Sequence, residues 1–505
     1  MKGAKIISSV VFLLTLTATL IVMPCDGMTG ERNVLRFGTG VDVTILDPHN
    51  WKTARDLLAI NLIYEGLATF DTQLKVVPVL ATSWQIVDEK TWRFNLRKGV
   101  KFTDGTPFNA EAAKTNFDRM AKAPRAKGVF GIIESVKIED EYTIIIKTKT
   151  PFVPFINNLC HPIGTMISPE AIKKYGTKIG QNPVGTGKFM LKEWRPKEKM
   201  VLARNEKYWG KKPKLTEVII RPIPEEGTRT MAFESSDLDI VSDPAPHRIV
   251  QFKKNNNIRV ITEPAARVVW LGFNLKDKTL ANLKLRQAIA HALNRGELVN
   301  YVAEGLAINA PAWIPEIVMK FNKKYNYDLN LKKAKELLKE AGYSNGLTLK
   351  LWTPEGRYLK DKQIAEAIQA QLSKIGIKTQ LVVKEWAAYL DGVFRKEQQL
   401  YIWGWAFQVG DPDAMLRENF FSKSAYNCTG YDNPAYDKML DKAVSTFNAD
   451  SRKKLYGEIQ QMLIDDVVGC PIYHSENIYA LWKRVKNFKS HPLEVVVLDD
   501  TTVED

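Results

Sequence analysis

The stretch NLKKAKELLKEAGYSNGLTLKLWTPEGRYLKDKQIAEAIQAQLSKIGIKTQLVV, residues 330–383, decides the fold class because two helical patterns alternate with two strand patterns. Its opening asparagine is suited to cap a helix with apolar residues at helical spacing, and Gly342 ends that helix. We predict a strand over 347–351, a second helix ending at Gly376 and a second strand over 379–383. This order is typical of an α/β domain with a mixed or parallel sheet.

Shorter periodicities surround this stretch on both sides. Strands are predicted over 33–40, 92–96, 135–139, 142–149, 189–194 and 400–407. Asn109 is suited to cap a further helix. The chain has no internal repeat and no long linker, so we expect its domains to be joined by short crossings.

The composition is that of a globular protein with more than one domain. The chain has 505 residues, of which 45% are hydrophobic and 26% charged, and a single core stops growing beyond about 250–300 residues. The net charge of +15 is spread along the chain among acidic residues, and no nucleic-acid-binding module is present. We therefore expect no nucleic-acid partner.

The N-terminus predicts export. Lys2 and Lys5 precede an apolar run over 6–23, and small residues follow near Gly27, so residues 1–27 are predicted to be a signal peptide. The predicted location is periplasmic or otherwise extracytoplasmic. A lipid anchor at Cys25 is the disfavoured alternative, because the Val-Met-Pro before it differs from the small residues that a lipoprotein signal needs. An uncleaved membrane anchor is the other alternative.

Motifs of catalysis and metal binding are missing from the sequence. It contains no Cys-x-x-Cys pair and no His-x-x-x-His pair, so neither a metal site nor a cofactor is predicted. The Gly-Lys at 187–188 fails as a phosphate-binding loop, because Asn182 and Phe189 stand where glycine and Ser/Thr are needed. No Gly-x-Ser-x-Gly motif is present either. We therefore predict a binding protein and not an enzyme. The pairing of Cys160, Cys428 and Cys470 stays open.

Several separated segments together resemble one family, the family 5 extracytoplasmic solute-binding proteins of ABC importers, which bind peptides, oligopeptides, nickel or glutathione. They cover nearly the whole mature chain in the right order. The segments are LDPH (46–49), IYEGL (63–67), LATSW (80–84), WRFNLRKGVKF (92–102), DGTPF (104–108), PVGTG (183–187), NxxYW (205–209), LGFN (271–274), LRQA (285–288), GW (404–405) and GDPD (410–413).

The resemblance implies an α/β, two-lobed type II periplasmic-binding-protein fold with an extra subdomain inserted in lobe I. Lobe I is expected to comprise 31–65, 190–275 and 486–505, the inserted subdomain 66–189, and lobe II 276–485. The lobes of such proteins close over the ligand by hinge motion. The crossings near 275 and 485 are therefore the expected hinges.

The candidate binding residues of lobe II surround the end of the predicted strand over 400–407. Gly404 would permit close approach of a ligand, and Trp405 and Phe407 would supply flat apolar walls. In dipeptide- and oligopeptide-binding relatives, an acid three residues after this tryptophan holds the ligand's α-ammonium. Here that residue is Gln408, a neutral amide, which hydrogen-bonds an amine without neutralising its charge. Asp411, three residues further on, is interpreted as structural.

Three further candidates lie elsewhere in the chain. Thr39 and Gly40 follow the first predicted strand and face the cleft in the family fold. Arg357 lies in a loop from which its planar guanidinium could reach a ligand carboxylate.

The resemblance implies the substrate-binding component of an ABC import system. Such a protein captures a small peptide or peptide-like solute and delivers it to a membrane permease and its ATPase, and we expect it to act as a monomer. Because of Gln408, the ligand stays open among glutathione-like γ-peptides, blocked peptides, other small amides, sugars and opine-like compounds. The alternative on the same fold is a solute sensor or a binder of a sugar, an opine or a metallophore. A secreted hydrolase is disfavoured because no nucleophile motif is present.

Overall fold

A computed structural model describes residues 33–52, 56–321 and 325–504. The predicted signal peptide and Cys25 lie outside the described residues. From Asn33 onward the chain forms one unit, and no helix in the described ranges is long and apolar enough to cross a membrane.

The described residues form 21 strands. They are β1 (Val34–Thr39), β2 (Ala68–Phe70), β3 (Val76–Pro78), β4 (Ala81–Asp88), β5 (Thr91–Leu96), β6 (Ile133–Asp140), β7 (Thr143–Thr148), β8 (Phe189–Arg195), β9 (Lys199–Arg204), β10 (Glu217–Pro222), β11 (Ile240–Ser242), β12 (Ile258–Phe273), β13 (Ala307–Asn309), β14 (Leu347–Pro354), β15 (Ile377–Lys384), β16 (Leu400–Ala406), β17 (Gly469–Trp482), β18 (Val485–Lys486), β19 (Lys489–Ser490), β20 (Val496–Val497) and β21 (Thr502–Val503).

The same residues form 15 α-helical segments. They are α1 (Asp56–Ile63), α2 (Ala110–Met120), α3 (Pro124–Phe130), α4 (Phe155–Cys160), α5 (Pro169–Tyr175), α6 (Glu226–Glu234), α7 (Pro246–Lys254), α8 (Leu283–Ala292), α9 (Arg295–Glu297), α10 (Leu331–Glu340), α11 (Asp361–Ser373), α12 (Trp386–Phe394), α13 (Pro412–Phe420), α14 (Pro434–Val444) and α15 (Ala449–Asp465).

The predicted helix boundaries are confirmed by their capping groups. The Asn109 side chain accepts a hydrogen bond from the backbone N–H of Ala112 at the start of α2. Asn330 accepts one from Lys333 in the same way at the start of α10. Gly342 and Gly376 follow α10 and α11 with φ values of 91° and 92°, a conformation that glycine adopts without steric cost.

One mixed sheet of 11 strands runs through the molecule in the order β15-β14-β16-β12-β17-β11-β1-β10-β9-β8, with β13 paired to β17. β14 is parallel to β15 and β16, and β1 is parallel to β10 and β11. The predicted mixed sheet is therefore confirmed. A separate four-stranded antiparallel sheet has the order β4-β5-β7-β6.

Two large apolar cores lie along the long sheet. The first contains buried residues from 266 to 473. The second contains buried residues from 35 to 240 and again from 479 to 498. The chain passes between the cores inside β12 and β17, whose antiparallel register shifts between Pro264 and Val268.

Candidate ligand-binding site

The end of β16 carries aromatic rings that lead from the first core toward solvent. Trp403 is buried, and its indole N–H donates to the Asn419 side-chain oxygen over 3.0 Å. The half-buried Trp405 stacks on Trp403, with ring centroids 6.2 Å apart and planes 23° apart. The Tyr426 ring lies 5.6 Å from Trp405 on the outer side. The partly exposed indole of Trp405 is thus held in a fixed position.

Gln408 contacts His161, which lies 247 residues earlier in the chain. Its Oε1 lies 3.3 Å from Nε2 of His161. Nδ1 of His161 accepts the backbone N–H of Ile163 over 3.0 Å, so the hydrogen of the neutral ring is on Nε2 and points to Gln408. Burial lowers the pKa of His161 to about 4, so the ring is neutral at pH 7.

An exposed cation lies beside this contact. The Arg125 guanidinium stacks 3.9 Å from the centroid of the Trp51 ring, and the Trp51 and His161 rings are 5.9 Å apart. Stacking of this kind holds a cation in place without neutralising its charge. Arg125 can therefore still bind an anionic group.

A carboxylate lies on the other side of Trp405. Glu418 on α13 is half-buried and interacts with the Trp405 side chain. Burial raises the pKa of Glu418 to about 7, the charge of Asp413 adds to this rise, and the Arg125 charge and the Trp405 hydrogen bond oppose it. Loss of water around the carboxylate disfavours its charged form, so a cation placed there would stabilise it.

These side chains form one group, here named the Trp405 cluster. Its members are Trp51, Arg125, His161, Trp405, Gln408, Glu418 and Tyr426. Trp51 belongs to the second core, whereas Trp405 packs against the first. The cluster offers an anion, a cation, an amide and flat rings, which are the groups needed to bind a polar solute with several functional groups.

Two other predicted residues at this strand pack inside the protein. Phe407 is 0% exposed and belongs to the first core, so it supports the cluster from behind instead of forming one of its walls. A Cβ on Gly404 would lie 2.8 Å from the Tyr358 ring, and the Tyr358 hydroxyl donates to the Gly404 carbonyl over 3.2 Å. The glycine therefore makes room for Tyr358.

Arg357 lies in the loop that Tyr358 anchors. Its side chain is exposed, and its guanidinium is 5.1 Å from the ring centroids of both Tyr358 and Trp386. The loop is held further by Asp361, whose carboxylate accepts the backbone N–H of Arg357 over 2.8 Å.

Thr39 and Gly40 lie at the end of β1. Thr39 is buried, and its hydroxyl donates to the Val41 carbonyl over 2.8 Å. A Cβ on Gly40 would lie 3.1 Å from a guanidinium nitrogen of Arg229. Gly40 therefore packs against Arg229, whereas Trp405 contacts Tyr426 and Gln408 contacts His161.

Sequence reasoning missed Trp51, Arg125, Glu418 and Tyr426. The first two belong to none of the recognised motifs, and Glu418 is one of several charged residues on α13, a largely buried helix. Asp411 was interpreted as structural, and it caps α13 and accepts both guanidinium nitrogens of Arg452 at 2.8 and 2.9 Å.

Histidines and cysteines have local roles among the described residues. No group of three or more His, Cys, Asp or Glu in these ranges could hold a metal ion. His49 and His474 point Nε2 at the carbonyls of Thr165 and Ala312, each over 3.0 Å. Cys160, Cys428 and Cys470 are buried free thiols, and burial raises the pKa of Cys428 and Cys470 to about 12.

Known proteins are similar over most of the chain. The family model of bacterial extracellular solute-binding proteins, family 5 Middle, matches residues 75–427, more than half of the chain. The glutathione-binding protein GsiB of Salmonella choleraesuis is 30% identical over 464 residues, covering 88% of this chain and 90% of that protein.

Solved structures have the same fold. The ABC transporter-associated periplasmic binding protein DppA from Helicobacter pylori, in complex with peptide STSA, gives a TM-score of 0.82 at 30% identity and covers 94% of this chain and 98% of its own. The binding protein AgaA from A. tumefaciens R10, in complex with agropinic acid, gives a TM-score of 0.80 at 25% identity and covers 94% and 99%.

These likenesses confirm the predicted α/β fold of type II periplasmic binding proteins. The family is a class of solute-binding transport proteins and not a class of enzymes. The relatives extend over nearly the full length of the chain, so the match is not limited to one domain. The chain belongs to the bacterial extracellular solute-binding proteins of family 5, the substrate-binding components of ABC import systems.

Proposed function

We propose that this protein is exported and captures a small peptide-like solute at the Trp405 cluster, then delivers it to an ABC permease and its ATPase. The observation that carries the proposal is the contact between Gln408 and His161, which joins the sides of the two cores beside Trp405. The protein acts as a monomeric receptor without catalysis. GsiB binds glutathione and DppA was solved with a peptide, which supports a peptide-like ligand.

Two lobes, one around each core, close over this solute. We infer that the crossings lie inside β12 and β17, about ten residues before the expected positions near 275 and 485, because the residues on either side of these points belong to different cores. The register shift between Pro264 and Val268 supports this assignment, because a bulge bends a strand locally. We therefore assign the hinges to residues 264–268 and to the facing residues 474–476. The segment 66–189 retains its assignment as the inserted subdomain.

Gln408 narrows the ligand class. An α-peptide with a free N-terminus needs an anion at its ammonium, and residue 408 offers only an amide whose oxygen already accepts from His161. Solutes with a second amide or a γ-linkage fit this amide better. Thr39, Gly40, Gly404 and Arg357 remain proposed parts of the wider cleft, and Phe407 is retained only as support for Trp405.

The test is a calorimetric and thermal-shift panel on the mature protein. It compares glutathione, free and N-acetylated dipeptides and tripeptides, opines and sugars. Ligand at 100 times its dissociation constant adds about 2.7 kcal/mol to stability. Trp405→Ala should abolish the shift, whereas Trp194→Ala on the edge strand β8 should keep it. A rise in melting temperature with sugars and with no other compound of the panel would overturn the proposal.

An opine-like solute is the second candidate. It is favoured by the structural likeness to AgaA, which was solved with agropinic acid. The opines in the panel distinguish the two candidates. If the solute is an opine, an opine should raise the melting temperature of the protein more than any peptide does.

A further inference from the structure

The C-terminal end of α14 contacts a segment that lies beside the other core. The backbone N–H of Val153 donates to the carbonyl of Val444, the last residue of α14, over 2.7 Å. α14 contributes Ala443 to the first core, whereas Phe152 packs against the second. This hydrogen bond therefore joins the sides of the two cores, and neither valine belongs to the Trp405 cluster.

The helix end explains why this hydrogen bond matters. The last carbonyls of an α-helix have no partner within the helix. The carbonyl of Ala443 accepts from the Arg452 side chain over 3.1 Å, and Arg452 is itself held by Asp411. The next carbonyl, that of Val444, accepts from Val153. Separation of the two cores would leave the Val444 carbonyl and the Val153 N–H to water.

An apolar side chain beside the helix end crosses in the opposite direction. Phe447 follows the last residue of α14 by three positions, and its half-buried ring packs against the second core. Ala443, four residues earlier, is 0% exposed and belongs to the first core. The Phe447 ring would lose its burial if the cores separated, and burial of apolar surface is stabilising.

A further contact between the two sides is made by the turn after β16. A Cβ on Gly410 would lie 3.1 Å from the Phe70 ring, so this turn packs closely against Phe70. Leu74 packs both against the small apolar cluster that contains Phe70 and against the first core. The next residue of the turn, Asp411, binds Arg452 and so connects the turn to the end of α14. The turn and the helix end thus form one side of a continuous contact.

Resting on the two-lobe closure of the proposed function, we propose that Val153, Val444 and Phe447 form a latch that stabilises the closed form without contacting the solute. The latch makes the same contacts whichever solute is bound, so it sets the fraction of molecules that are closed before binding. A receptor whose binding-competent form is only partly populated binds every ligand more weakly by that fraction. The latch therefore sets the overall affinity, whereas the Trp405 cluster selects the solute.

The test measures the latch directly with two spin labels, at Lys149→Cys and Lys438→Cys. Both positions are exposed and lie on either side of the latch, and the cysteines at 160, 428 and 470 are buried. Pulsed electron paramagnetic resonance gives the ratio of short to long distances between the labels in the ligand-free protein. Phe447→Ala in this background should lower that ratio about threefold to tenfold, because part of the burial of a phenylalanine ring is lost. An unchanged ratio would overturn the inference.

Phe321→Ala is the matched control. Phe321 is also half-buried, but it packs against the first core, where a Cβ on Gly457 of α15 would lie 3.5 Å from its ring. Its loss should lower stability and leave the ratio of distances unchanged. An equal fall of the ratio in both variants would overturn the inference, because the ratio would then follow stability alone. Phe447→Leu, which keeps an apolar side chain, should give a ratio between those of the wild type and Phe447→Ala.

Affinity distinguishes the latch from the ligand site. In calorimetry, Phe447→Ala should weaken every solute of the panel that binds, glutathione included, by one common factor. That factor should equal the loss of the closed fraction that the spin labels report. Unequal factors for different solutes would overturn the inference, because Phe447 would then act on the solute itself. A wild type that binds no peptide-like solute, but whose distance ratio falls in Phe447→Ala, would overturn the proposed function and leave the latch standing.

Hydrogen exchange gives a second readout that needs no label. Pro151 and Pro154 have no N–H, so a peptide over 150–154 reports mainly on the amides of Phe152 and Val153. The Val153 amide exchanges when the latch is open. Phe447→Ala should therefore speed its exchange, whereas Phe321→Ala should not. Equal exchange in the wild type and Phe447→Ala would contradict the latch.

Discussion

At the residue scale, the contact between Gln408 and His161 is made by two uncharged side chains. The Gln408 oxygen accepts from the Nε2–H of neutral His161 over 3.3 Å. An acid at residue 408 would place a negative charge beside the His161 ring.

Gln408→Glu should raise the pKa of His161 well above its value of about 4, because a negative charge beside the ring stabilises the imidazolium. The measurement is an NMR titration of the six histidines with selective ¹³C labelling. His474, whose Nε2 faces the Ala312 carbonyl, is the internal control and should not shift. An unchanged pKa of His161 would show that residue 408 does not contact the His161 ring in solution.

Asp411→Asn should lower the free energy of unfolding by about 3–5 kcal/mol, because the buried Arg452 guanidinium then loses its counter-charge. Asparagine remains a good cap for α13, so the substitution tests the charge alone. Urea unfolding measures the change.

Asp118→Asn is the control for Asp411→Asn. It breaks an exposed pair with Lys114 and should cost about 1 kcal/mol or less. Equal losses in the two variants would contradict the importance of burial.

At the scale of elements, the glycine-rich connection over 183–187 is shaped by α1. A Cβ on Gly187 would lie 2.5 Å from the Ile63 carbonyl oxygen, to which the Gly187 N–H donates over 2.9 Å. A Cβ on Gly185 would lie 2.2 Å from the same oxygen. The two glycines therefore permit a close backbone approach at the helix end, which explains the pattern that fails as a phosphate-binding loop.

Gly187→Ala should destabilise the protein by about 1–3 kcal/mol, because the chain must move away from α1. Gly128→Ala is the matched control. Its Cβ meets nothing within 4 Å inside α3, and it should gain up to about 1 kcal/mol from helix propensity. Thermal unfolding distinguishes the two, and a loss of stability in Gly128→Ala would contradict the helix.

The elements were predictable from the sequence where local rules determine them. Asparagine caps at 109 and 330 and the glycines after α10 and α11 act within a few residues, so their roles could be predicted. The crossings near 275 and 485 stay predictions, because the position of a hinge depends on how the two cores share β12 and β17, which no local pattern in the sequence marks. Glu418 and Arg125 were missed because only tertiary packing brings α13 and α3 to one place.

At the scale of the whole molecule, buried neutral histidines couple stability to pH. Burial lowers the pKa of His474 to about 4 from an ordinary value of 6.5. Between these pH values the unfolded state binds the proton and the folded state does not, so the contribution of His474 is complete above pH 6.5 and is lost as the pH falls to 4.

The difference in unfolding free energy between the wild type and His474→Gln should therefore shrink by about 3 kcal/mol between pH 6.5 and 4. Denaturant unfolding at five pH values measures it. A constant difference for His474→Gln would mean that this histidine titrates in the folded protein as it does in water.

The position of β17 within the long sheet has a consequence for biosynthesis. This strand lies between β12 and β11, so it joins the two halves of the sheet, yet it comes almost last in the chain. A polypeptide that leaves the ribosome or a translocation channel N-terminus first cannot complete the sheet before Gly469–Trp482 has emerged. Truncation before Gly469 would leave β12 and β11 without the strand that lies between them, so the two halves of the long sheet would not be joined.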